Sequence, residues 1–240
     1  MYIDVAVLEL PVGDRYANDE LWTNVDEQIL PQAQRVALDE NGLRVGLING
    51  RTPDRLLEWL TSRRTNPNAV QYRRRAGNST TVDLAHEVPK FEFQLAGETQ
   101  PRTMRFEEAT VQIQITPTFD AEGKVRLKFL PQIEFRDLEK WSRLNPTVAL
   151  NVQKPRSTEA FPALGWEMAV APNEYVMIGT HFEKQKSLGF QAFVTPNPDN
   201  PVQRLVAIRA GLMSATSTPE SGATNGSVQN QTSASQASGQ

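Results

Sequence analysis

The chain has 240 residues, 39% hydrophobic and 22% charged, enough for one sizeable core or two small ones. A formal net charge of -3 supplies no global attraction to nucleic acid or anionic lipid, and a sequence with no Cys and two His excludes disulfides and thiolate metal sites. No run reaches the roughly 18 apolar residues of a membrane helix, and Met1-Tyr2-Ile3-Asp4-Val5 lacks the basic-then-apolar pattern of a signal peptide.

Ile3, Val5 and Val7 alternate with Asp4 and Ala6, which predicts an opening strand ending at Pro11 and Gly13. Asn18 or Asp19 then caps an expected helix carrying Leu21, Trp22, Val25 and Ile29. After Pro31 a second helix is expected from Gln32 to Glu40, stopped by Asn41-Gly42, a pair suited to a left-handed helix terminus. Leu43 to Ile48 reads as a strand. Thr52-Pro53 opens a further helix, with Leu56, Leu57, Trp59 and Leu60 on its buried side.

From Ala69 onward the pattern is β. Val70 and Tyr72, Val82 and Leu84, and Phe91, Phe93 and Leu95 mark three short runs. The clearest signal follows: Val111, Ile113 and Ile115, then Val125, Leu127 and Phe129, occupy every second place on either side of Asp120-Ala121-Glu122-Gly123. This is a hairpin, and its polar positions Gln112, Gln114, Arg126 and Lys128 predict a sheet with one wet face. Later strands are expected at 147–152, 164–170, 174–179, 190–194 and 203–209. Beyond Leu212 the composition offers almost nothing to bury, which predicts a disordered tail.

Chemistry is sparse. His86 and His181 belong to no metal-ligand spacing, and Glu107-Glu108 would point to opposite faces of a strand. No P-loop, GxSxG elbow or GxGxxG is present. A hydrolase would need a pocket uniting one of the His with carboxylates. Arg73-Arg74-Arg75, beside Tyr72 and near Arg63-Arg64, is the strongest charge feature; such a cluster either marks a solvated strand end or holds an anion. Trp141, between Lys140 and Arg143 in a polar stretch, is the tryptophan expected at the surface.

Residues 110–209 resemble the pore domain of bacterial secretins, the ring-forming channels of type II and type III secretion. The resemblance is carried by Ile115-Thr116-Pro117, Glu122-Gly123-Lys124-Val125-Arg126-Leu127, Asn173 to Gly179, Ser187-Leu188-Gly189 and Leu205 to Arg209. The chain departs from that pattern at Thr180, where the family shows a second Gly, and at Arg209-Ala210-Gly211, which replaces a terminal Thr-Pro. Leu21-Trp22, Val25-Asp26-Glu27 and Asn41 to Gly46 also resemble a group of planctomycete proteins with such a secretin-like half.

Together these readings predict an α+β protein. A small α+β unit is expected over 1–65, a mainly antiparallel, sandwich-like β domain over 66–212, and a Ser/Thr/Gln/Gly-rich tail over 213–240. The expected role is non-enzymatic and without cofactor: assembly or protein–protein interaction in the cell envelope or periplasm, linked by the resemblance to secretion, with the cytoplasm as the alternative compartment. Partners are expected to be protein or further copies of the chain, not nucleic acid. Contact by edge pairing is assigned to Val111, Ile113, Val125, Leu127, Tyr175 and Met177. The alternative is a ligand-binding module for an anionic polymer or polysaccharide, using Arg73, Arg74, Arg75 or Trp141.

Overall fold

Period-two alternation becomes two facing antiparallel sheets in the computed structural model, which describes residues 1–11, 22–48, 70–75, 79–84, 90–105, 109–122, 124–136, 156–172, 174–195 and 202–211. In chain order the elements begin with β1 (Tyr2–Pro11), a 3-10 turn at Glu27–Ile29, α1 (Gln32–Glu40), β2 (Leu43–Ile48), β3 (Val70–Arg75) and β4 (Thr80–Asp83). Then come β5 (Lys90–Phe93), β6 (Arg102–Arg105), β7 (Ala109–Phe119), β8 (Val125–Arg136), β9 (Arg156–Ala160), a 3-10 turn at Pro162–Leu164 and β10 (Trp166–Val170). The last are β11 (Tyr175–Thr180), α2 (Leu188–Phe193), β12 (Val194–Thr195) and β13 (Val202–Gly211).

The first sheet runs β2-β11-β13-β1-β3, with β12 also on β13; the second runs β10-β8-β7-β4, with β9 also on β8. β5 and β6 form a separate ribbon. β1 and β13 pair along their whole length, from Tyr2↔Gly211 to Pro11↔Val202. The segment expected to form its own unit over 1–65 therefore shares a sheet with the last strands of the chain.

Between the sheets lies one core. Ile3, Val5, Val176, Ile178, Val206 and Ile208 from the first face Val111, Ile113, Ile115, Leu127 and Phe129 from the second. Trp166 stacks on Phe129, its register partner, with centroids 4.9 Å apart. Burying a large apolar side chain of this kind stabilises by about 1.5–3 kcal/mol. At one margin Arg204 spans both sheets: its guanidinium binds Glu9 Oε1 at 3.0 Å and donates to the Leu84 carbonyl at 2.7 Å.

The second sheet has the wet outer face expected of the hairpin, since Arg126 and Lys128 are exposed. Gln112 is an exception, being only 8% exposed. Its Nε2 donates to Asp83 and Glu134, at 2.8 Å each, and its Oε1 accepts from Gln132 at 3.2 Å. The connecting turn is held by Asp120, whose carboxylate accepts from Lys124 N at 2.7 Å. The first sheet departs from the expectation. Every residue of β11 is buried, because Trp22, Val25, Tyr175, Met177, Leu205 and Ala207 form a second apolar layer on its outer face.

That outer layer explains a second correction. The helix expected to run to Ile29 has ended by Asn24, and Asp26 bridges Leu47 with backbone bonds of 2.8 and 3.1 Å. The segment fits because Gly46 and Gly179 lie beneath it; a Cβ on Gly179 would stand 2.9 Å from Trp22. A third correction falls at 190–194. Apolar content there predicts a strand, but Ser187 Oγ caps the nitrogen of Phe190 at 3.1 Å and the chain turns through α2. The helix expected from Thr52, the strand at 147–152 and the tail lie outside the described residues.

Candidate functional site

The densest junction of distant segments is at Asn41-Gly42. α1 ends there as expected, with Gly42 at φ 74°. Everything around the turn binds to it. Asn41 is buried; its Nδ2 donates to Ala37 O at 2.8 Å, its Oδ1 accepts from Ala96 N at 2.9 Å, and its carbonyl accepts from Gly189 N at 2.9 Å. The Gly42 carbonyl accepts from His181 N at 3.2 Å and from Thr180 Oγ1 at 2.7 Å. Thr180, one departure from the secretin-like pattern, thus supplies a hydroxyl that a Gly could not.

His181 sits beside this turn with both ring nitrogens facing carboxylates: Nε2 lies 2.9 Å from Asp39 Oδ1 and Nδ1 3.5 Å from Glu183 Oε1. Lys184 Nζ reaches the other Asp39 oxygen at 2.8 Å. Burial lowers the imidazole below its ordinary range; Asp39 and Glu183 oppose that shift, while Arg44 and Lys184 reinforce it. Arg44 also pairs with Glu27 and lies over the Trp22 ring, 4.3 Å from its centroid.

Glu27, Asp39, Arg44 and His181 of these groups line a cleft of about 200 Å³ whose apolar wall is Leu30, Val36, Leu38, Leu43 and Val45. The cleft does unite a histidine with carboxylates. Its described lining, however, carries no hydroxyl or thiol for His181 to activate. What the arrangement does with the charges is clasp the end of α1 to the loop after β11. Sequence reasoning singled out His181 and the Asn41-Gly42 turn separately; their meeting depends on β2 pairing with β11, from Leu43↔Thr180 to Ile48↔Tyr175.

The residues assigned to contact fall differently. Val111, Ile113, Val125, Leu127, Tyr175 and Met177 are all at most 5% exposed, and their strands have neighbours on both sides. They build the core and offer no edge, which corrects the assignment to the hairpin and to β11. Tyr175 lies under the Arg209 guanidinium, 5.1 Å away. Arg73, Arg74 and Arg75 form the end of β3, where Arg73 is the register partner of Asp4 and Arg75 of Tyr2. Trp141, His86 and Glu107-Glu108 lie outside the described residues.

Among the described residues, β3 ends the first sheet and β4 the second. Five residue steps join Arg75 to Thr80, a reach of at most about 18 Å, so both end strands lie on one flank of the sandwich. At the opposite end of the first sheet, β2 takes one isolated bridge, Asp26↔Leu47. No helix among the described residues is long and apolar enough to cross a membrane. No protein-family model, curated protein or solved structure matches the chain.

Proposed function

We propose that this chain is a non-enzymatic, secretin-like envelope protein that works by assembly, taking strands of other protein chains onto the flank formed by β3 and β4. The observation that carries this reading is the position of those two strands at the ends of their sheets among the described residues, five residue steps apart in the chain. An end strand presents a row of backbone N–H and C=O groups that a neighbouring chain can pair, and alternate side chains then select the neighbour. The hairpin and β11 serve as the rigid frame behind that flank. The clasp at Asn41-Gly42 holds α1 and the loop after β11 in place and performs no bond chemistry.

The test is light scattering across a wide range of protein concentration. Mass should rise with concentration as end strands pair. A single monomeric mass up to the highest concentration would remove self-assembly from the account.

A further inference from the structure

The cleft beside α1 has a hydrocarbon wall that the chain leaves open. Among the described residues three large apolar side chains are exposed, Ile29, Val36 and Phe119. Val36, 45% exposed, lines the cleft itself, and Ile29 directly precedes Leu30 of its wall. Water in the cleft therefore lies against apolar side chains from the turn, α1 and β2, a surface that an apolar ligand gains by covering. The space, about 200 Å³, equals about seven waters of liquid and suits a ligand of under about ten non-hydrogen atoms.

The polar lining decides what that ligand carries. Both carboxylates are engaged: Glu27 holds Arg44, while Asp39 holds Lys184 at 2.8 Å and His181 Nε2 at 2.9 Å. Arg35, half-buried on α1, differs from Arg44. Its guanidinium donates to the side-chain oxygen of Gln28, a neutral amide, and it pairs with no carboxylate among the described residues. A guanidinium has five N–H donors in a planar fork, so the bond to Gln28 leaves donors for an incoming carboxylate. His181, held below its ordinary range by burial, is uncharged at neutral pH and does not change this balance.

We infer that this cleft binds a small aliphatic monocarboxylate, with its hydrocarbon on the wall around Val36 and its carboxylate on Arg35. The site lies against β2, at the opposite end of the first sheet from β3, and so stands apart from strand addition at the flank of β3 and β4. A dicarboxylate is a poorer occupant because its second charge meets Glu27 or Asp39, and an amine finds both of those carboxylates already taken.

The test titrates the full chain with hexanoate at neutral pH and follows backbone amide shifts by NMR. Saturable shifts are expected in α1, in β2 and at His181, with none in β4 and β7. Hexanamide, which keeps the shape without the charge, and acetate, which keeps the charge without the hydrocarbon, should each bind at least about tenfold more weakly. Arg35→Gln should weaken hexanoate about tenfold and Val36→Ser about threefold, with Arg35→Lys between the natural chain and Arg35→Gln. Neither position is buried, and unchanged β7 shifts will report that these variants keep the fold. Equal binding of hexanamide, or of hexanoate to Arg35→Gln, would overturn the carboxylate contact. Equal binding of acetate would reduce the site to plain anion attraction, and no saturable shift up to about 20 mM hexanoate would overturn the site itself. Light scattering of the unliganded chain decides assembly separately, so the two readings fail independently.

Discussion

Gly189 is packed against the backbone of Gly42: its nitrogen donates to the carbonyl of Asn41 at 2.9 Å, and a Cβ on it would overlap the Gly42 carbonyl and lie 2.8 Å from the Leu43 nitrogen. Backbone cannot yield as a flexible side chain can, so Gly189→Ala has to push α2 away from the turn. Overpacking of this kind costs about 1–3 kcal/mol. Urea denaturation should show that loss as a lowered midpoint, whereas an unchanged midpoint would mean the contact is slack.

Gln112, itself buried, supplies both donors that reach the exposed Asp83 and the half-buried Glu134. Gln112→Glu replaces those donors with a third carboxylate at neutral pH. The loss should be about 2 kcal/mol at pH 7, the scale of a buried polar group stripped of its partner, and smaller near pH 4, where the new acid takes up a proton and can donate again. Equal loss at both pH values would show that shape, not charge, is what the position requires.

Arg204 binds Glu9 within the first sheet and Leu84 of the second strand layer. Its side chain is 6% exposed and that of Glu9 18%. Removing one member of a buried pair costs about 3–5 kcal/mol, so Arg204→Ala should be among the most destabilising single changes. Arg204→Met combined with Glu9→Met should recover most of the loss. A double variant no better than Arg204→Ala would assign the cost to packing.

The His181 clasp predicts a pH dependence with a definite sign. Its folded-state pKa lies below the ordinary histidine value, mainly through burial. As pH falls through the ordinary range near 6.5, the unfolded chain takes up a proton before the folded one does, so stability present above that range is lost on acidification. His181→Gln, which does not titrate, should lose less stability between pH 7.5 and 5 than the natural chain. Parallel curves for the two would remove His181 as the source.

Much of the fold was legible because one face of most strands is buried. β1, β2, β7, β8, β10, β11 and β13 all follow from apolar alternation or apolar runs. β6, Arg-Thr-Met-Arg, and β9, Arg-Ser-Thr-Glu-Ala, carry no such pattern. β6 instead gains Arg102, which binds Glu98 and Glu159 at 2.7 Å each. Phe190, Phe193 and Val194 favour β locally and outweigh the one local helix signal, the Ser187 cap, while the Gly189 contact with Gly42 that holds α2 in place is tertiary. The clasp was illegible for a related reason: Asp39 and His181 meet only after β2 and β11 pair. The hairpin was read correctly as structure and wrongly as a contact edge, since alternation reports a buried face and says nothing of which strands end a sheet.

The central claim is that protein partners are taken onto the flank of β3 and β4, and amide hydrogen exchange measures it strand by strand. With rising protein concentration, exchange at Val70–Arg75 and Thr80–Asp83 should slow, while β7, β8 and β11 keep one rate throughout. End strands whose exchange stays constant as concentration rises would contradict the account.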